Sequence, residues 1–233
     1  MGKQSWKPGN MIYPLPAVMV SAGNAEGQTN ILTIAWTGTI CTNPAMLYIS
    51  VRPERYSYSM IKESGEFVVN LTTEELAKAT DYCGVRSGRD VDKWKEMHLT
   101  RGKAKELQYA PIIEECPVNI ECKVEEIKEL GSHHMFIAKV MAVQVSEEYM
   151  NETGKFCLNE TGLLAYSHGE YLGLGKKSRN FWLQCKKRKR NVKSKKESFR
   201  RETPSSFFSK SIYALSNIYI SVRNKWNQKM MLV

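Results

Sequence analysis

Two runs of about a dozen residues each, Val118–Leu130 and Met135–Ser146, flank Gly131-Ser-His-His134 and limit the fold more than any other feature of the chain. In the first run Val118, Ile120, Cys122 and Val124 alternate with Asn119, Glu121, Lys123 and Glu125. A period of two marks a strand with one dry face and one wet face. Two such strands joined by so short a link predict a long hairpin, and a hairpin commits the chain to antiparallel pairing. Shorter strand signals come earlier, at Ala17–Ala22, Asn30–Thr39, Met46–Val51 and Glu66–Leu71, with a turn-rich link over Gly23–Gln28. Helical signals are brief. Tyr56–Glu63 stops at Ser64-Gly65, Thr72-Thr-Glu-Glu caps a helix through Asp81, and Val91–Met97 is a short helix or turn after a glycine-containing loop, Cys83–Asp90. The sum is a mainly β fold, a small antiparallel barrel with short peripheral helices. There is no internal repeat, and no domain linker precedes residue 176.

Polar chemistry concentrates in Asn30–Ser57. Its first strand is rich in β-branched and aromatic residues, and Thr33 and Thr37 share a parity. Arg52, Arg55 and Ser57 gather at the start of the expected helix, whose free N–H groups favour an anion. Taken singly, Thr33 and Thr37 are ordinary strand formers, Trp36 a core residue, and Arg52 and Arg55 surface residues. His133 and His134 read as structural, because adjacent strand residues point to opposite faces and cannot both serve one site.

As an ordered set these residues resemble the flavin reductase-like, FMN-binding split-barrel family, which includes the flavoredoxins. The likeness runs through Asn30, Thr33 and Trp36, then Thr39-Ile40-Cys41-Thr42-Asn43-Pro44. It continues in Arg52-Pro-Glu-Arg-Tyr-Ser57, Ser64-Gly-Glu-Phe-Val-Val-Asn70 and Cys83-Gly-Val-Arg-Ser-Gly-Arg-Asp-Val-Asp-Lys-Trp94. It spans roughly residues 10–177. The resemblance implies a Greek-key split β-barrel that binds FMN and dimerises with the cofactor near the interface. It places Ala35-Trp36-Thr37 along the isoalloxazine edge, Asn30 and Thr33 at the ribityl chain and ring, and Thr42, Arg52 and Ser57 at the phosphate, with Arg55 beside them. Ser87 and Lys93 belong to a loop that borders the flavin. No side chain is assigned as catalytic, since the flavin does the chemistry. Cys83 is a small packed residue near the site, and His168 lies in a family segment near the C-terminus.

The net charge of +10 invites a nucleic-acid partner, but it is unevenly spread. Residues 1–175 carry 17 Lys and Arg against 22 Asp and Glu, a net of −5, whereas residues 176–233 carry 17 against 2, a net of +15. The body is mildly acidic, and the basicity is confined to the last quarter. Residues 178–233, including Lys186-Lys-Arg-Lys-Arg190, form a basic extension without family likeness or expected order. Reading residues 178–187 one base later turns the Trp182 codon, with the first base of Leu183, into glycine. The neighbouring codons then permit Val-Gly-Ile-Phe-Gly-Phe-Ser-Val-Lys-Lys, close to the family's usual ending. One extra base in the A-rich codons of Lys176-Lys177 accounts for this, and sequencing the gene across Lys176–Ser178 tests it. On that reading the domain is 1–177, and the tail carries no information about nucleic acid.

The six cysteines include no Cys-x-x-Cys pair, and Cys116 and Cys122 lack histidines at zinc spacing, so no metal site is expected. With no apolar leader and no membrane-length apolar run, reduced thiols in a cytoplasm are expected. The functional expectation is an FMN-dependent oxidoreductase passing electrons from NAD(P)H to flavin, ferric or protein acceptors. The absence of Gly-x-Gly-x-x-Gly fits a family whose nicotinamide meets the flavin without a Rossmann domain. One alternative is a flavoredoxin-type carrier with no NAD(P)H site of its own. A second is a flavoprotein with a nucleic-acid-binding tail.

Overall fold

The computed structural model describes residues 1–175; the basic extension and the frame change expected at Lys176–Lys177 lie outside the described residues. In chain order the strands are β1 (Leu15–Pro16), β2 (Val18–Gly23), β3 (Thr29–Ile34), β4 (Thr37–Cys41), β5 (Met46–Val51) and β6 (Glu66–Leu71). They continue with β7 (Arg101–Gly102), β8 (Ile112–Ile113), β9 (Val118–Leu130), β10 (His133–Val145), β11 (Leu164–Ser167) and β12 (Glu170–Gly173). Three short helices are interspersed, α1 (Ser57–Ser64), α2 (Ala77–Val85) and α3 (Lys93–Glu96).

Seven strands form one antiparallel sheet in the order β3-β2-β6-β9-β10-β5-β4. Its spine is the expected hairpin. The start of β9 pairs with β6, while the start of β10 pairs with β5, so the hairpin joins two half-sheets. Register shifts between Ile137 and Ala138 and between Val140 and Ala142 bend it. The two edge strands, β3 and β4, are consecutive in sequence and linked only by Ala35-Trp36. Ends of a seven-stranded order cannot be two residues apart unless the sheet rolls up, so the barrel is closed by the chain and split where the ladder fails. Asn30–Thr39 is therefore two strands rather than the one expected.

The roll encloses a core drawn from both ends of the sheet, including Val18, Val20, Leu32, Ile34, Leu47, Ile49, Phe67, Val69 and Phe136. From α1, Tyr58, Met60 and Ile61 join it, and α1 ends as expected, with Gly65 left-handed at φ 67. A second core on the outer face packs Met19, Ile31, Ala79, Cys83 and Trp94. Every residue of β2 is buried because it has both faces covered.

Two expectations fail. Asn119 and Glu121 are buried, not wet, because the segment 103–113 folds over them. The Glu121 carboxylate accepts from Lys105 N at 2.9 Å, Glu106 N at 2.7 Å and Gln144 Nε2 at 2.9 Å. Neither Thr72 nor Thr73 caps a helix. Thr72 donates to the Ala17 carbonyl, Thr73 makes no side-chain cap, and the helical turn over 74–76 runs on into α2 as far as Val85. A side-chain cap is found instead on α3, where Asp92 accepts from Trp94 N at 3.0 Å and Lys95 N at 3.3 Å and so sets Lys93 in place.

Candidate functional site

The split in the barrel opens a cleft. At the bend between β3 and β4, Trp36 is 37% exposed, and its ring lies against His133 with centroids 4.4 Å apart. Arg52, just past β5, holds Glu54 through Nε at 2.6 Å. These residues, with Thr33, Ala35, Arg55, Asp81, Tyr166 and Tyr171, line a cavity of about 400 Å³, within the usual range for ligand sites. Partial burial, and then the nearby Arg52 and Arg55, lower the His133 pKa from its ordinary value.

A second depression of about 240 Å³ adjoins the first, sharing Leu32, Thr33, Arg55 and Gly84. Its lining is more polar. Asn30 Nδ2 donates to the buried Ser57 Oγ at 2.8 Å. Lys93, only 3% exposed, donates from Nζ to the carbonyls of Ile31 (2.7 Å) and Cys83 (2.8 Å). Among the described residues no carboxylate stands within ion-pair distance of it. Burial is the main cause that brings the Lys93 pKa down to about 8. The Cys83 thiol is pushed up to about 11, again chiefly by burial, so it stays protonated and unreactive at neutral pH.

The loop after α2 folds across this depression. Arg89 donates to the Glu54 carbonyl at 3.2 Å and stacks on Tyr56, its guanidinium 5.5 Å from the ring centroid. Ser87 Oγ accepts from Arg89 N at 3.2 Å. Gly88 makes the close approach possible. A Cβ there would press on Asn30 Oδ1 and sit 2.6 Å from Tyr56 Cδ1.

Of the residues singled out in the sequence, Asn30, Thr33, Arg55, Ser57, Ser87 and Lys93 meet around the second depression. Ala35, Trp36 and Arg52 line the first, and Arg52 is tied to Glu54, which lines the second. The Thr33 hydroxyl is engaged with the Thr80 carbonyl, and Thr37 donates to the Tyr48 carbonyl at 2.6 Å. Thr37 lines neither depression. Nor does Thr42, which sits exposed in the β4–β5 turn. The two histidines do face opposite ways, His133 to Trp36 and His134 to the Tyr58 hydroxyl at 2.7 Å. His133 was passed over as structural, yet it forms cleft wall. Tyr166, Tyr171 and Asp81 were not singled out either. The one available signal was the clustered aromatics of Leu164–Tyr171. His168 stacks on Tyr13, centroids 4.7 Å apart, outside the cleft lining.

Comparison with known proteins agrees with this architecture. The flavin reductase like domain model matches residues 11–175. The structure of flavoredoxin from Methanosarcina acetivorans is 30% identical, with a TM-score of 0.72, covering 80% of this chain and 98% of that one. Flavoredoxin of Desulfovibrio vulgaris is 27% identical at the same TM-score, covering 78% and 98%. An uncharacterized protein of Archaeoglobus fulgidus is 31% identical over 159 residues, 68% of this chain and 87% of its own. A flavin reductase of Pseudomonas putida is 25% identical over 138 residues, covering 58% of this chain and 76% of its own. The chain belongs to the flavin reductase-like family.

Proposed function

We propose that the chain is an FMN-binding oxidoreductase that takes electrons from NAD(P)H and delivers them to a flavin, ferric or protein acceptor. One observation carries the binding half of this reading. Lys93 is a buried ammonium without a carboxylate partner among the described residues, and it lines a depression together with Asn30, Ser57, Ser87 and Arg55. An uncompensated buried charge is costly, and an arriving phosphate would supply the missing counter-ion. The donor set suits that group: an amide, two hydroxyls, a guanidinium and an ammonium. The phosphate therefore belongs at the Ser57–Lys93 end, and the ring belongs along Thr33, Ala35 and Trp36 in the larger cleft. Bound FMN supplies reversible hydride and electron chemistry that no side chain of the cleft possesses. The chain's own part is to hold, orient and shelter it. No role falls to Cys83, whose thiol is protonated.

The second reading, a flavoredoxin-type carrier without an NAD(P)H site, is favoured by the two flavoredoxin structures, each aligned over 98% of its length. Mixing the flavin-loaded protein with NADH and NADPH in the absence of air separates the two. Rapid loss of the flavin's blue-light absorption is expected for the oxidoreductase; no loss within minutes leaves the carrier. A purified chain that takes up no FMN overturns both.

The active form is proposed to be a cytoplasmic homodimer. Beyond Val140, whose N–H donates to the Ala45 carbonyl at 2.9 Å, β10 pairs with no strand on its β5 side among the described residues, and Met141, Val143 and Val145 are exposed on one face of it. An apolar strand with an open edge favours a second copy. Light scattering that finds a monomer of the purified, flavin-loaded chain removes this proposal.

A further inference from the structure

The mouth of the two depressions differs in charge from the rest of the body. Their linings include five cations, Arg52, Arg55, Arg86, Arg89 and Lys93, against two acids, Glu54 and Asp81, a net of +3. The remainder of residues 1–175 carries 12 Lys and Arg against 20 Asp and Glu, a net of −8. The four arginines are exposed, and only Arg52 has a carboxylate within ion-pair distance among the described residues. Arg55 makes one long contact, to the Gly84 carbonyl at 3.5 Å. Arg86, just past the end of α2, has no side-chain partner among the described residues. Beside it Val85 is 69% exposed and lines the larger cleft. An aliphatic side chain held in water among arginines has the make-up of a protein-docking surface, with an apolar centre and a charged surround in which arginine is enriched.

We propose that the mouth is a docking surface for an acidic protein, whose apolar contact is Val85 and whose carboxylates meet Arg86 and the neighbouring arginines. Planar guanidinium forks match carboxylates in pairs. A long polyanion such as a nucleic acid fits less well, because beyond the mouth it runs over a surface of net charge −8. A compact partner touches the mouth alone, and small interfaces are usual where proteins meet briefly to exchange electrons. That electrons pass to the docked protein rests on the flavin reading above; the charge preference of the surface does not. A phosphate held by Lys93 and Arg55 leaves Arg86 unspent, so the proposal turns on Arg86.

Native and succinylated cytochrome c serve as probes, since they share a haem and carry opposite surface charge. Calorimetric titration of the purified full chain at low ionic strength, with and without FMN, measures docking. Arg86→Glu is compared with Lys155→Glu, an exposed position outside both depressions whose reversal gives the same net charge. The +15 of residues 176–233 attracts an acidic probe in both variants alike. Arg86→Glu is expected to weaken succinylated cytochrome c about five- to tenfold, and Lys155→Glu by less than about twofold. A second readout uses flavin-loaded protein reduced with dithionite in the absence of air. Each flavin hydroquinone anion gives one electron to each of two ferric haems and releases the proton at N5. In Arg86→Glu the second-order rate is expected to fall severalfold for the succinylated probe and to rise for the native one, both changes fading in about 0.5 M salt. Damage to the fold slows both probes. The proposal is overturned if the succinylated probe shows no saturable heat, if the two variants weaken it equally, or if Arg86→Glu moves the two probes in the same direction. FMN content, read by absorption, keeps the two readings apart. FMN uptake with no effect at Arg86 sinks the docking surface alone, and a calorimetric effect at Arg86 without FMN uptake sinks the flavin reading alone.

Discussion

The molecule handles polar groups in two opposite ways at two places. Beneath segment 103–113 they are buried and saturated. Asn70 donates to the Met19 carbonyl and Ser21 Oγ and accepts from Ile113 N and Asn119 Nδ2, while Glu66 accepts from Gln108 N and Tyr109 N at 2.9 Å each. Glu121 has three donors of its own. Around the cleft the polar groups keep capacity in reserve. Lys93 uses two of its three donors, Arg52 and Arg55 face a cavity, and Ser87 receives a single local bond. A saturated network fixes a loop in place, and an unsaturated one awaits a ligand. This contrast, more than polarity itself, separates the structural belt from the candidate site.

The largest expected effect breaks the saturated side. Glu121→Leu leaves Lys105 N and Glu106 N without their acceptor and Gln144 Nε2 with only the Lys103 carbonyl, at a cost of about 3 kcal/mol. For a domain of this size the thermal midpoint falls by about 6–12 °C. FMN affinity of the folded fraction is expected to stay within about twofold, because Glu121 lines neither depression. Thermal melts combined with flavin titration check this. Equal losses of stability and affinity would dissolve the distinction between belt and site.

Next in size is a change that should do the reverse. Gly88→Ala drives a Cβ against Asn30 Oδ1 and Tyr56 Cδ1, which displaces either the loop or the Asn30–Ser57 pair. We expect at least a tenfold loss of FMN affinity, read by fluorescence quenching, with the thermal midpoint moving by less than about 3 °C, because the strain sits in a surface loop. An unchanged affinity would show that the loop does not shape the flavin site.

How much of this was legible in the sequence follows the same division. Period-two patterning and turn residues showed the long hairpin, Glu66–Leu71 and the stop at Gly65, because those signals are local. The burial of Asn119 and Glu121 was not legible, since alternation reports polarity and not which distant segment covers a face. The split at Ala35-Trp36 escaped for a related reason. Nothing local distinguishes a strand that continues from one that turns onto the opposite edge of a rolled sheet. Family likeness put Thr42, Arg52 and Ser57 at the phosphate, Asn30 and Thr33 at the ribityl chain and ring, and Lys93 in a separate loop bordering the flavin. In the fold Asn30, Ser57 and Lys93 line one depression, Arg52 lines the adjoining one, and Thr42 sits on an exposed turn. The tyrosines of β11 and β12 become wall only through a tertiary approach that spacing does not encode.

The smallest effect tests the reserve of Lys93 without any mutation. Its pKa of about 8 in the free protein means that the ammonium is largely present at pH 7 and largely lost at pH 9. A phosphate binds the charged form, so FMN affinity should fall as pH rises through 8, by about three- to tenfold between pH 7 and 9. The sign is opposite to that of a carboxylate-controlled site, which would weaken towards acid. Riboflavin provides the control. It has the same ring and ribityl chain but no phosphate, so its weaker affinity should stay flat over that interval. Cys83, with its pKa near 11, remains a thiol throughout and adds no slope. If riboflavin and FMN weaken in parallel, the titration belongs to the ring end, and Lys93 joins Glu66 and Glu121 among the groups that only hold the fold.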